Sequence, residues 1–341
     1  MNCATYDLSR RPGSPCGSRL ARTVPNLALS LASVGLLMEC SEVASPWALA
    51  AKREGRHTRQ SGTGVQVKGR YNAYWRGQNL VHPDKLADWG CEHARLAGLA
   101  RSPLFGTFQG GGPIDGLLRD RDAMDFDPLQ LALRYNSWAA DCMDIEAALP
   151  RVAAMGTWEA VEYLWNAVAI LAIEEQEELD FDCARYLPSA IALWACRPSG
   201  ARAGPLLWAL MRKYLLDSQC VGGSRLRWEN VDLMALIASA RRVAPAKIVR
   251  EQSQFVPVTR MEVPIETLKW IERSRPELGR GPAPKIGQIG ALQLESLLVG
   301  LHESAWTIIR REFGQGALPV PVGRRRCMRN LGMDVMLRPL F

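Results

Sequence analysis

The sequence predicts a mainly α-helical fold, a multi-helix bundle or an irregular array of helical hairpins, and three observations predict it. Apolar residues recur at alternating spacings of three and four through the middle of the chain. Proline and small polar residues punctuate those runs where helices start and stop. Only one stretch, residues 254–263 (QFVPVTRMEV), has the β-branched character of a strand, and its internal proline confines it to an edge. With 341 residues and 48% hydrophobic content, the chain can bury a large core, which excludes disorder throughout.

In chain order, residues 1–45 read as a targeting segment or a disordered tail. Residues 1–38 carry Arg10, Arg11, Arg19 and Arg22, five serines and a single acid, Asp7, the composition of an organelle transit peptide, and residues 24–38 could supply its amphipathic turn. The same run followed by Ala48-Leu49-Ala50 also resembles a secretory h-region, so secretion stays open beside a mitochondrial, plastid or cytoplasmic location. Its uncharged length, 16 residues from Thr23 to Met38, falls short of the roughly 20 that span a bilayer, and no transmembrane segment is expected. Residues 46–76 read as a basic linker, and 77–113 as a small helical lobe ending in a Gly-rich loop.

Residues 114–316 form the expected helical core. Asp127 and Pro128 are suited to N-cap and first-turn positions, and Leu131, Tyr135, Trp138, Cys142, Ile145 and Leu149 make one stripe of a helix ended by Pro150. A second helix starts at a Thr157 cap and buries Trp158, Val161, Trp165, Val168 and Ala172. It is apolar over so wide an arc, with Leu164 and Leu171, that it is central. Further helices are predicted over 188–196, 205–217, 229–243, 264–274 and 287–313, the last with Leu294, Leu298, Leu301, Ala305 and Ile308 along one side. Residues 317–341 are a basic Pro/Arg-rich tail.

The net charge of +7 is carried by the ends. Residues 1–76 hold eleven Lys/Arg against four Asp/Glu, residues 310–341 hold seven against two, and the remainder stands at −5. Such a layout separates contact or targeting at the ends from packing in the middle. Arg324, Arg325, Arg326 and Arg329 can neutralise several phosphates and are candidate nucleic-acid or partner contacts. Glu174, Glu175, Glu177, Glu178, Asp180 and Asp182, placed at the C-terminal end of the Trp158 helix where the macrodipole disfavours anions, form a candidate acidic docking patch for a basic partner, the chain's own arginine tail included.

Motifs for chemistry are few. There is no GxxxxGK[ST], GxSxG or HExxH. Four histidines, His57, His82, His93 and His302, leave imidazole chemistry few places to sit. Cys91 and His93 stand two apart and could join a metal site if two more ligands came from elsewhere, Cys142, Asp141 and Asp144 being the candidates. The helical glutamates lack the following His of di-iron sites. Nine scattered cysteines without a CxxC pair read as reduced thiols. No cofactor is expected, and catalysis is not the leading reading.

Trp158, Trp194, Trp228, Trp270 and Trp306 are separated by 36, 34, 42 and 36 residues, near the length of a helical hairpin repeat. The stretches LPSAIALWA (187–195) and ENVDLMALIASARRV (229–243) resemble first helices of the degenerate hairpin repeats in organellar RNA-binding proteins of the octotricopeptide and FAST-kinase-like families. That resemblance implies single-stranded RNA bound along a concave helical face. The function expected is therefore a non-catalytic helical subunit of an organellar assembly, with protein partners, in which RNA is a candidate partner through the basic ends. The alternatives are a viral nucleocapsid-like RNA-binding protein and an enzyme whose site is assembled from distant residues.

Overall fold

In the computed structural model, residues 21–54, 64–108, 145–173, 177–217, 224–243, 263–280 and 290–314 are described. They are mainly α-helical, as the sequence predicts, with one short two-stranded sheet outside the stretch expected to be extended.

The first helix, α1 (Val24–Cys40), is the largest departure from the sequence reading. Thr23 caps it by accepting the Asn26 N–H at 3.4 Å, and Pro25 suits the first turn. Every residue from Val24 to Met38 is buried, on all sides of the helix. Its polar side chains are satisfied in place: Ser33 Oγ donates to Leu29 O at 2.7 Å, and Ser30 Oγ accepts the Val81 N–H at 2.8 Å. The run expected to be a dispensable address or tail is thus a fully enclosed core helix over Val24 to Met38. Segment 46–76 is not a plain linker either, because α2 (Pro46–Glu54) and α3 (Gly64–Trp75) pack on α1 and on each other.

The expected lobe comprises α4 (Pro83–Glu92), α5 (Ala94–Arg101) and the short α6 (Pro103–Gly106). It is continuous with the core, since α5 and α6 pack on α1 and α6 also packs on α8. Beyond residues 109–144, which are outside the described set, come α7 (Ile145–Ala154), α8 (Trp158–Ile173), α9 (Glu177–Ala195) and α10 (Ala203–Met211). Pro150 does not end its helix and Pro188 lies inside α9. The Thr157 cap is observed, accepting the Ala160 N–H at 3.4 Å.

A π-helical turn (Arg212–Leu216) follows α10, and then β1 (Ser224–Leu226), a 3-10 turn (Trp228–Asn230), α11 (Leu233–Val243), α12 (Ile265–Arg273), β2 (Leu278–Arg280), α13 (Gly290–Leu297) and α14 (Glu303–Phe313). The two strands pair antiparallel, Arg225 opposite Gly279. The expected edge strand at 254–263 lies outside the described residues, apart from Val263. The long final helix expected over 287–313 is two helices, broken at Gly300, whose φ of +82° only glycine adopts freely.

Two hubs organise the packing. On one side α1 touches α2, α3, α5, α6, α10 and α14; on the other α9 touches α7, α8, α10 and α11, and α10 joins the two. Trp158 and Trp165 are buried as expected, while Trp138 lies outside the described residues. The five evenly spaced tryptophans sit at different points of their elements: at the start of α8, near the end of α9, in the 3-10 turn, in α12 and in the first turn of α14.

A chain starting at Ala21 should retain its helical circular dichroism, whereas one starting at Tyr71 should lose it with α1. Equal spectra from the two truncations would contradict the central place of α1. Trp165→Ala should lower stability by about 3–5 kcal/mol in chemical denaturation, since the side chain is fully buried.

Candidate functional site

Two charged clusters stand out, one inside the body and one at the junction of α3, α13 and α14. The interior cluster begins on α8, where Glu159, Glu162 and Asn166 occupy spacings of three and four and share one face. All three are buried. Arg95 on α5 donates to Glu159 Oε1 through Nε at 3.3 Å and a terminal nitrogen at 3.2 Å. Arg197, just past α9, is buried beside the same group; burial pulls its pKa down, and Glu39 and Glu159 oppose that. Glu39 in turn accepts the Ser199 N–H at 2.7 Å.

Two guanidiniums thus stand against two carboxylates, leaving Glu162 as a third acid without a cation. Its partner is Ser102, whose Oγ donates to Glu162 Oε2 and accepts the Leu104 N–H at 3.2 Å. Burial pushes the Glu162 carboxyl up to about 8; the Ser102 bond works against this and nearby Glu159 adds to it. The group is mostly protonated at neutral pH. One turn further along, Asn166 is fully buried with neither amide atom hydrogen-bonded. Beside this face Trp165 Nε1 donates to Thr107 Oγ1 at 3.3 Å, and its ring stacks on Phe108 with centroids 5.3 Å apart.

The second cluster joins the turn after α3 to the turn between α13 and α14. Arg202 donates to Trp75 O and to Val299 O, the latter at 3.5 Å, and its guanidinium lies 4.7 Å from the centre of the Trp75 ring. Arg76 Nε donates to Gly300 O at 3.2 Å. Burial, and then the charge of Arg76, push the Arg202 pKa down to about 10. His302 closes the junction: its N–H donates to Arg76 O at 2.8 Å, and its Nδ1 caps α14 by accepting the Ser304 N–H at 3.1 Å. The far end of α14 is tied to the π-helical turn, where Lys213 Nζ donates to Glu312 O at 2.7 Å and Tyr214 Oη to Glu312 Oε1 at 2.6 Å.

Of the residues singled out in the sequence, Arg324, Arg325, Arg326, Arg329, Glu174 and Glu175 lie outside the described residues. Glu177, Glu178, Asp180 and Asp182 begin α9 rather than ending α8. Cys91 is exposed in the last turn of α4, and His93 separates α4 from α5. Among the described residues no three His, Cys, Asp or Glu side chains converge as metal ligands; Asp141, Cys142 and Asp144 fall outside them. His302, inside the single helix expected over 287–313, is the N-cap of α14.

Sequence reasoning passed over both clusters. The stripe Glu159, Glu162, Asn166 was a visible signal, because polar residues at helical spacing inside an otherwise apolar helix must find partners or pay desolvation. The arginine pair has no local signal, since Arg202 stands 127 residues from the carbonyl it binds. No family model, curated protein or solved structure matches the chain. No helix among the described residues is long and apolar enough to cross a membrane.

Because the carboxyl of Glu162 ionises near 4.5 when unfolded and near 8 when folded, its contribution to stability is fully present below pH 4.5 and is lost as pH rises to about 8. Glu162→Gln should therefore match the wild type near pH 4.5 and melt at a higher temperature at pH 8.5. A constant difference at the two pH values would contradict the neutral-carboxyl assignment. Asn166→Leu, which removes two unsatisfied buried groups at similar volume, should leave the melting temperature unchanged or raise it.

Proposed function

We propose that the chain is a non-catalytic helical subunit of a larger organellar assembly, in a mitochondrion or plastid, and that it contacts RNA through its basic ends. One observation carries this reading: the two cationic ends of the sequence join the body at neighbouring helices. Residues 1–22, with four arginines against one acid, enter α1, residues 315–341, with five against one, follow α14, and α1 packs on α14. Leu27, Gly77 and Ala305 meet there, as a Cβ added at Gly77 would come within 2.9 Å of Leu27 Cδ1 and 2.8 Å of Ala305 Cβ.

Helix rise puts Thr23 about 6 Å from Leu27 and Gly314 about 14 Å from Ala305. Both ends therefore leave the body within roughly 30 Å of each other. Two cationic segments so placed raise each other's effective concentration on a single polyanion. The body between those two segments, residues 23–314, holds as many Lys/Arg as Asp/Glu and adds no net attraction of its own. The interior charges of the body are largely spent on one another, Arg95 on Glu159 above all, which supports a packing role for the core.

An organellar address has to fall within residues 1–22, because processing further along would remove α1 from the core. Recovery from purified organelles of a chain trimmed before Thr23 would support the location. An untrimmed chain found in particles with viral RNA would favour the nucleocapsid alternative.

Affinity for single-stranded RNA should be insensitive to sequence and steeply dependent on salt. Neutralising Arg324, Arg325 and Arg326 together should flatten the slope of log affinity against log salt by about 2–3. A wild type without salt-sensitive RNA binding would overturn the RNA reading and leave protein docking as the use of the basic ends.

A further inference from the structure

Arg202 is half-buried, yet neither it nor Arg76 forms an ion pair among the described residues. Their acceptors are carbonyl oxygens at the ends of two helices. Trp75 O belongs to the last turn of α3, where the carbonyls of Asn72, Ala73 and Tyr74 are already taken by the N–H groups of residues 76–79, and Val299 and Gly300 follow α13.

A helix C-terminus carries about half a negative charge. That of α3 offsets about half of one guanidinium charge, Val299 and Gly300 lie in the loop between α13 and α14, and the greater part of the two positive charges remains. Among the described residues no carboxylate contributes to the electrostatics of Arg202, and the charged influence on it is the repulsion of Arg76. Glu303, which follows the acceptor loop at Gly300, is bound by Arg310 at 2.6 Å.

The pair also has donors to offer. Among the described residues Arg76 uses only Nε, leaving both terminal nitrogens, while Arg202 is held in place by two carbonyls and the Trp75 face. One guanidinium is thus pre-set as a charge and the other presents a fork to solvent, an arrangement suited to a tetrahedral oxyanion. The cluster lies where Leu27, Gly77 and Ala305 meet, next to the entry of the N-terminal cationic segment.

We propose that Arg76 and Arg202 form a phosphate-binding site that holds an RNA phosphodiester against the folded body. This rests on the RNA reading above: the basic ends gather the strand without choosing a position, and the arginine pair fixes one phosphate relative to α1 and α14.

The test uses the full chain and two probes, inorganic phosphate and a single-stranded RNA 20-mer. Phosphate, compared with chloride at equal ionic strength, should raise the melting temperature of the wild type and not that of Arg76→Gln. That variant should bind the RNA about 3- to 10-fold more weakly at 0.1 M salt, with the salt slope reduced by about 1. Arg76→Lys, which keeps the charge and loses the fork, should retain the slope with weaker affinity.

If Arg76→Gln fails to fold, Val299→Glu sets a carboxylate beside the pair from an exposed side chain and should abolish the same two effects. Unchanged phosphate stabilisation and RNA affinity in a folded Arg76→Gln would overturn the site, while the RNA reading would stand if neutralising Arg324, Arg325 and Arg326 still flattened the slope. Phosphate stabilisation confined to the wild type, without salt-sensitive RNA binding, would keep the site and overturn the RNA reading.

Discussion

The structure depends on covering α1 on every side. A helix with one apolar face can be satisfied by a single neighbour, but this one is buried from Val24 to Met38 around its whole circumference. Six helices supply the cover, drawn from residues 46–106 and from residues 203–313. Backbone approaches as closely as side chains do: at Gly35 an added Cβ would stand 2.2 Å from Pro198 O, so nothing larger fits against that turn. Because α1 holds together segments distant in sequence, its removal exposes surface throughout the body rather than at one edge.

Charge is handled differently inside and outside this frame. In the interior, low dielectric makes an unpaired charge costly, and the numbers match: Arg95 and Arg197 against Glu39 and Glu159, with Glu162 held mostly neutral. At the junction of α3, α13 and α14 the balance is left open, because helix-end carbonyls, which are only partial charges, replace carboxylates as the partners of two arginines. Closed pairing serves packing, and the open site leaves charge available to an anion. The π-helical turn contributes indirectly: it offers Lys213 and Tyr214 to Glu312 and so fixes where the C-terminal end leaves α14.

Local pattern alone determined a good part of this protein. Helical class, the Thr157 cap, the burial of Trp158 and Trp165, and a helix close to residues 264–274 follow from spacing and capping chemistry, which act within a few turns of the chain. Composition determined the separation of charge between ends and middle.

Only the tertiary structure decided the fate of residues 24–40, because a short run apolar on all sides reads alike as an address, a secretory segment or a core helix until its neighbours are known. It also decided that α9 runs through Pro188, where packing outweighs one lost N–H donor, and that Glu177, Glu178, Asp180 and Asp182 belong to the start of a helix. The two charged clusters belong to the same category. A side chain's partners are set by which distant segments fold beside it, and for Arg202 the decisive group is a backbone carbonyl, which carries no mark in the sequence.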